Sequence, residues 1–192
     1  MALRRDAFEA LKPRSVDDEL KRSDAASLSG VPLLRFGVFC AAKISRTGVQ
    51  TIPEVADTKI LFNVVEYDNY AVETNSQELM AVIGGSAGIT VQRAGIYMVC
   101  ARALWDGDGT ADGVVRQLSI RKNTAFIARD QTWIGAGNAL NVPTNRIAEP
   151  FALVRGDLIE AYVFHDRDPN ASLGLVSEGE SSFLSVHWVA LG

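Results

Sequence analysis

Apolar and polar positions alternate singly along most of this chain, and the clearest run lies near its centre. Ile89 and Val91 alternate with Thr90 and Gln92, Ala94-Gly95 supplies a tight turn, and residues 96 to 103 alternate again around Tyr97, Val99 and Ala101. That pattern predicts strand, turn, strand. The same period of two appears upstream at Leu34, Phe36, Val38 and Cys40, and at Ile60, Phe62 and Val64 within KILFNVVE. A Ser-, Thr- and Gly-rich loop is expected between those two strands, a turn over residues 67 to 70, and a short strand over 79 to 83. Downstream, residues 117 to 121 and 125 to 129 flank Lys122-Asn123-Thr124, a hairpin signal. Trp133-Ile134 and residues 140 to 142 are shorter candidates. Arg155-Gly156-Asp157 turns a strand over 148 to 154 into one over 158 to 164, where Leu158, Tyr162 and Phe164 share a face. Strands over 173 to 176 and 182 to 191 close the chain. About ten short strands with turn signals roughly every 8 to 12 residues, and no long helix, predict an all-β sandwich or jelly roll.

The first thirty residues follow a different pattern. Residues 2 to 12 place Leu3, Ala7 and Leu11 on one helical face with Phe8 beside them, until Pro13 ends the run. Ser15 followed by Asp18 resembles a capping box and starts a second helical turn, with Val16 and Leu20 as its apolar contacts. Isolated helices under about a dozen residues are marginal in water, so each piece needs a partner surface. SDAASLSG, residues 23 to 30, has the composition of a linker. The expected organisation is an anchoring arm and linker over residues 1 to 30 and a β domain over 31 to 192.

Length and charge narrow the function. The 192 residues suffice for one well-buried core. With 23 acidic against 19 basic residues and a net charge of −4, a broad positive face for nucleic acid is not expected. Cys40 and Cys100 sit in apolar runs and read as free, buried thiols, in keeping with folding in the cytoplasm. MALRRDAFEALKPR has no apolar core, so neither a secretory signal nor membrane insertion is expected.

Candidate chemistry is sparse. Asp106, Asp108 and Asp112 occupy the first, third and seventh places of a calcium-type loop, DGDGTADG. The sixth place is Ala111 and the twelfth Gln117, departures that favour a solvated turn over a weak calcium site. No other cofactor is expected. The two histidines are His165 and His187, and no G-x-S-x-G motif accompanies them. A structural role is therefore expected for both, and no enzymatic activity. Gly84-Gly85-Ser86-Ala87-Gly88 lacks the lysine and helix that would cradle phosphate.

KILFNVVEYDNY, GITVQRAGIYMV, LSIRKNTAFIAR, and FALVRGDLIEAYV leading to SSFLSVHWVAL follow one another in an order that resembles the globular head of the complement C-one-q and tumour necrosis factor-like families. The matching positions are Phe62, Tyr70, Gly95-Ile96-Tyr97, Lys122-Asn123, Gly156-Asp157 and Ser182-Phe183, within residues 34 to 191. Thr124 stands where the families carry glycine, DGDGTADG is long, and there is no collagen-like stalk. The resemblance implies a ten-stranded TNF-like jelly roll that closes as a homotrimer through a heterologous contact. It makes Tyr97, Tyr162, Phe164 and Trp188 candidates for the axial interface, each with the alternative of filling its own core. With the arm, it leads to the expectation of a non-enzymatic virion structural protein of a tailed bacteriophage, folded in the host cytoplasm. In that expectation a trimeric knob is fixed to other virion proteins by residues 1 to 30, as capsid decoration or part of a head or tail fibre, with a host-surface glycan or protein as a further partner. The alternative is a soluble extracellular trimeric ligand that binds a receptor or carbohydrate.

Overall fold

The structure is a computed structural model that describes residues 40–70, 80–105, 114–134, 144–166, 173–175 and 182–191. All of them belong to the unit Val38–Gly192. The arm residues Leu3, Phe8, Leu11, Val16 and Leu20, the calcium candidates Asp106, Asp108 and Asp112, and the short strand expected over 140 to 142 lie outside the described residues.

The described residues form strands in chain order: β1 (Ala41–Ser45), β2 (Gln50–Ile52), β3 (Thr58–Lys59), β4 (Val64–Asp68), β5 (Ala81–Val82), β6 (Gly88–Thr90), β7 (Gly95–Leu104), β8 (Val114–Lys122), β9 (Ala125–Ile134), β10 (Thr144–Leu153), β11 (Leu158–His165), β12 (Leu173–Leu175) and β13 (Phe183–Ala190). A five-stranded sheet runs β10-β7-β13-β1-β4. A second sheet runs β5-β6-β11-β8-β9, with β3 continuing the edge of β11 beside β6, and β2 pairs β12. Every pairing is antiparallel, as a jelly-roll sandwich requires.

The period of two explains the core. Tyr97, Val99, Ala101 and Ala103 of β7, Leu184 and Val186 of β13, and Ala42 and Ile44 of β1 are buried. Leu118 and Ile120 of β8 and Ile159, Ala161 and Val163 of β11 are buried with them in the same cluster. Alternate side chains leave a strand on opposite faces, so each sheet commits one set of apolar residues to the interior.

Three sequence expectations are corrected. β6 and β7 are not a hairpin: they belong to different sheets, and the turn between them carries the chain across the sandwich. Val91 supports that crossing, donating its N–H to Asp157 O (2.8 Å) and accepting from Gly156 N (2.7 Å). KILFNVVE is not one strand either. Ile60 N donates to Ala161 O of β11 at 2.9 Å, whereas Asn63 N donates to Ser45 O of β1 at 3.0 Å. The segment thus leaves one sheet and joins the other, with Ile60 and Phe62 fully buried on the way. Finally, AAKIS, expected in the loop after a strand ending near Ala41, is itself the strand β1.

One end of the sandwich is closed by a polar cluster around Trp105, whose ring is fully buried. Its Nε1 donates to Asn145 Oδ1 (2.8 Å), and Asn145 Nδ2 donates to Asp130 Oδ2 and Thr132 Oγ1 of β9, both at 3.0 Å. Asp130 also accepts from Arg146 N at 3.0 Å. The His165 ring meets Trp105 edge-on with centroids 6.1 Å apart, and the Arg116 guanidinium lies 5.7 Å from the indole. β7, β8, β9, β10 and β11 are thereby joined around one side chain.

The β8–β9 turn contains Asn123 at φ 49° and Thr124 at φ 75°, two positive values in succession as in a type I′ hairpin. Asn123 compensates by donating to Asp157 Oδ1 (2.7 Å) and accepting from Leu158 N (2.8 Å). Thr124 is β-branched and exposed, in a backbone region that suits glycine. Replacing it as Thr124→Gly is expected to raise unfolding stability by about 1 kcal/mol, measured by urea denaturation; a loss of stability would contradict this reading of the turn.

Candidate association surface

The five-stranded sheet has a second face, turned away from the core. On β7 it comprises Ile96, Met98, Cys100, Arg102 and Leu104, all half-buried. Antiparallel partners project to the same side. His187, Ser185 and Phe183 of β13 therefore stand beside Met98, Cys100 and Arg102, and Pro150, Ala148 and Arg146 of β10 stand on their other flank. Ala41 and Lys43 of β1 lie opposite His187 and Ser185, and Tyr67 of β4 lies opposite Lys43. Apolar residues thus occupy the middle of this face on β7 and β10, with Arg102 and Arg146 at one end and Lys43 on the β1 side.

Two details shape it. Tyr67 Oη and His187 Nε2 are hydrogen-bonded at 3.0 Å. Phe183 is flanked by Lys43 Nζ at 5.0 Å and the Arg102 guanidinium at 5.3 Å from its ring centre, and it borders a cleft of about 260 Å³ that Cys100, Arg102, Arg146 and Ala148 also line. Burial pushes the Cys100 thiol up, against the opposing pull of its hydrogen bond with Ser185. Burial likewise raises the Tyr67 phenol, with Cys100 adding to it. His187 is lowered, first by burial and then by Lys43. At neutral pH the thiol, the phenol and the imidazole are therefore uncharged, with Lys43 standing between Ser185 and Tyr67 beside them.

The four aromatic residues expected at an axis do not converge. Tyr97 is fully buried in its own core, with its hydroxyl donating to Arg93 O at 2.7 Å, so for Tyr97 the core reading holds. Trp188 also packs against that core, half-buried, with the Arg93 guanidinium 4.8 Å from its ring. It sits so close to β7 that a Cβ on Gly95 would stand 2.2 Å from its Nε1, which explains the glycine there. Tyr162 and Phe164 are half-buried on the outward face of the other sheet. Alternation had grouped residues by face without saying to which sheet the face belonged. The missed residues on β7, Met98 and Cys100 among them, carried one signal: apart from Arg102 its even positions are apolar too, the mark of a strand covered on both sides. Cys40 and Cys100 form no disulfide, Cys40 being buried and Cys100 half-buried. Among the described residues no group of three or more His, Cys, Asp or Glu side chains is arranged to hold a metal.

No family model and no curated protein matches the chain. Solved structures do. An Eiger TNF from S. frugiperda superposes with a TM-score of 0.54 over 80% of this chain and 94% of that one, at 14% identity. Murine APRIL at pH 5.0 superposes with a TM-score of 0.51 over 79% of this chain and 99% of the other, also at 14% identity, and murine APRIL at pH 8.5 with 0.52 over the same shares.

The fold is the TNF-like jelly roll.

At such identity the likeness is one of architecture, and the residues on the outward faces of this TNF-like head are its own. His187 gives a pH dependence with a definite sign. Its folded-state value lies below the ordinary 6.5, so the unfolded chain takes up the proton first as pH falls. Stability from this group is complete above pH 6.5 and declines below it. Urea unfolding from pH 7.5 to 5.5 should show that decline, and His187→Gln should make it shallower; an identical slope in the variant would remove His187 as its source.

Proposed function

We propose that this chain is a non-enzymatic binding head that associates as a homotrimer through the outward face of β10-β7-β13-β1-β4. The observation that carries the reading is the second apolar face of β7. Ile96, Met98, Cys100 and Leu104 are only half-covered within one copy, and an apolar face of this kind is an association surface in a soluble protein. A heterologous contact that closes after three copies covers it on every subunit, and the TNF-like fold supports that geometry over an open chain. The other sheet then faces outward and is displayed three times.

The finer reading is a virion structural protein of a tailed bacteriophage, a trimeric knob fixed to the particle by residues 1 to 30. It is supported by the sequence of the arm, whose Leu3, Phe8, Leu11, Val16 and Leu20 call for a partner surface, and by the linker that follows. Three tethered arms bind neighbouring sites together, so modest single-arm affinities multiply. A second reading, a soluble extracellular ligand, is favoured by the names of the similar structures, an Eiger TNF and APRIL. The two differ in what the arm does.

Sedimentation of the full chain is expected to give a trimer. Met98→Glu, which sets a charge at the centre of the face, should yield a folded monomer with unchanged far-UV circular dichroism, whereas Tyr97→Phe should remain trimeric. A monomeric wild-type chain at micromolar concentration would sink the assembly reading. Deleting residues 2 to 22 should leave a soluble trimer that no longer enters particles, and undiminished incorporation would leave the ligand reading in its place.

A further inference from the structure

The outward side of β11, β8 and β9 carries a second surface. Tyr162 stands opposite Ser119, and Ser119 opposite Arg129; Phe164 stands opposite Gln117, and Gln117 opposite Gln131; Val115 stands opposite Trp133. Arg129, Gln131 and Trp133 therefore form one strip along β9, with Tyr162 and Phe164 two strands away and Ser119 and Gln117 between them. Trp133 is 66% exposed and Phe126, at the near end of β9, 47% exposed.

The charges on this surface are unequally committed. The Arg121 guanidinium lies 3.9 Å from the Tyr162 ring centre and 4.2 Å from that of Phe126, and it is paired with Asp57 at 2.7 Å. Glu160 is paired with Lys59. Arg129 only borders the Phe126 ring, 5.1 Å away, and has no ion pair among the described residues. With both acids engaged, one guanidinium stands uncommitted and exposed beside aromatic rings, on a chain whose net charge is −4.

We infer that the strip Arg129-Gln131-Trp133 binds an acidic oligosaccharide, one whose sugar units carry a carboxylate. An exposed indole offers the flat apolar surface on which the C–H face of a pyranose packs. Gln131 supplies both donor and acceptor to ring hydroxyls. The Arg129 fork matches a carboxylate in shape and charge. Trp133 lies four steps of extended strand beyond Arg129, about 13 Å at ~3.3 Å per residue, which suits a short oligosaccharide better than a single sugar. A protein partner selects a contiguous apolar centre depleted of charge; here the aromatic positions are interleaved with an amide and a guanidinium. The surface lies on the sheet opposite the association face, so the inference holds whether or not the chain trimerises.

The test is calorimetric titration of the full chain with trigalacturonic acid, 3′-sialyllactose and neutral maltotriose, with sedimentation of the same samples recorded so that a change of assembly is not mistaken for a change of binding. Saturable binding of a uronate or a sialate trisaccharide is expected, at least about tenfold tighter than maltotriose, and the two acidic ligands distinguish the source of the carboxylate. Trp133→Ala should weaken it about tenfold or more while Trp133→Phe largely retains it. Arg129→Gln should bring the affinity for the acidic ligands down to that for maltotriose. Failure of all three sugars to saturate at millimolar concentration, equal affinity for acidic and neutral sugars, or binding indifferent to Trp133→Ala would each overturn the inference.

Discussion

The rest of the structure depends on one strand having two apolar faces to bury. β7 gives Tyr97, Val99, Ala101 and Ala103 to the interior, and these are fully or almost fully covered. Its other side chains, Ile96, Met98, Cys100 and Leu104, point the opposite way with only half the cover. Burial of apolar area is the main favourable term in both folding and association, worth roughly 25 cal/mol per Å², so both faces are drawn toward a partner. The inner face finds the second sheet. The outer one stays half-covered within the chain, and the proposed association rests on that inequality.

Holding two sheets in register takes more than apolar contact, which is non-directional. The direction comes from polar groups at the ends. Trp105 donates to Asn145, Asn145 donates to Asp130 and Thr132, and Asp130 accepts the backbone N–H of Arg146. A buried amide or carboxylate left without such partners is costly, so a sliding of β9 against β10 would break several hydrogen bonds at once. At the other end Asp157 does similar work, accepting from Val154 N at 2.9 Å and from Asn123 Nδ2 at 2.7 Å. The turns thereby fix the geometry that the alternating strands leave open.

This division also explains what could be read from the sequence. Strand identity was legible where apolar and polar positions alternate, as along β8 and β10, and where turn signals bracket an apolar run, as for β11, because both are local properties. Sheet membership was not, because Ile60 and Asn63 sit three residues apart in one smooth apolar run yet bond to opposite sheets. The same limit left two readings open for each aromatic candidate: Tyr97 and Tyr162 look alike in sequence, but one points into the sandwich and the other out of it. The strip on β9 was missed for a further reason. Arg129, Gln131 and Trp133 become neighbours only once 125 to 134 is known to be one continuous strand, and its second half has no apolar alternation to announce it.

Pro150 bears on the size of anything this head builds. It lies within β10 opposite Met98, in a ladder with no shift of register, so its nitrogen, which carries no hydrogen, faces the open margin of the sheet. β10 ends its sheet among the described residues, and although Arg146 N on that margin is taken by Asp130, the remaining length would otherwise be a template for polymer growth by strand addition. An imide at mid-length spoils that template. Strand addition at that margin is blunted, which leaves the broad outward face of the sheet as the surface open to the association proposed above.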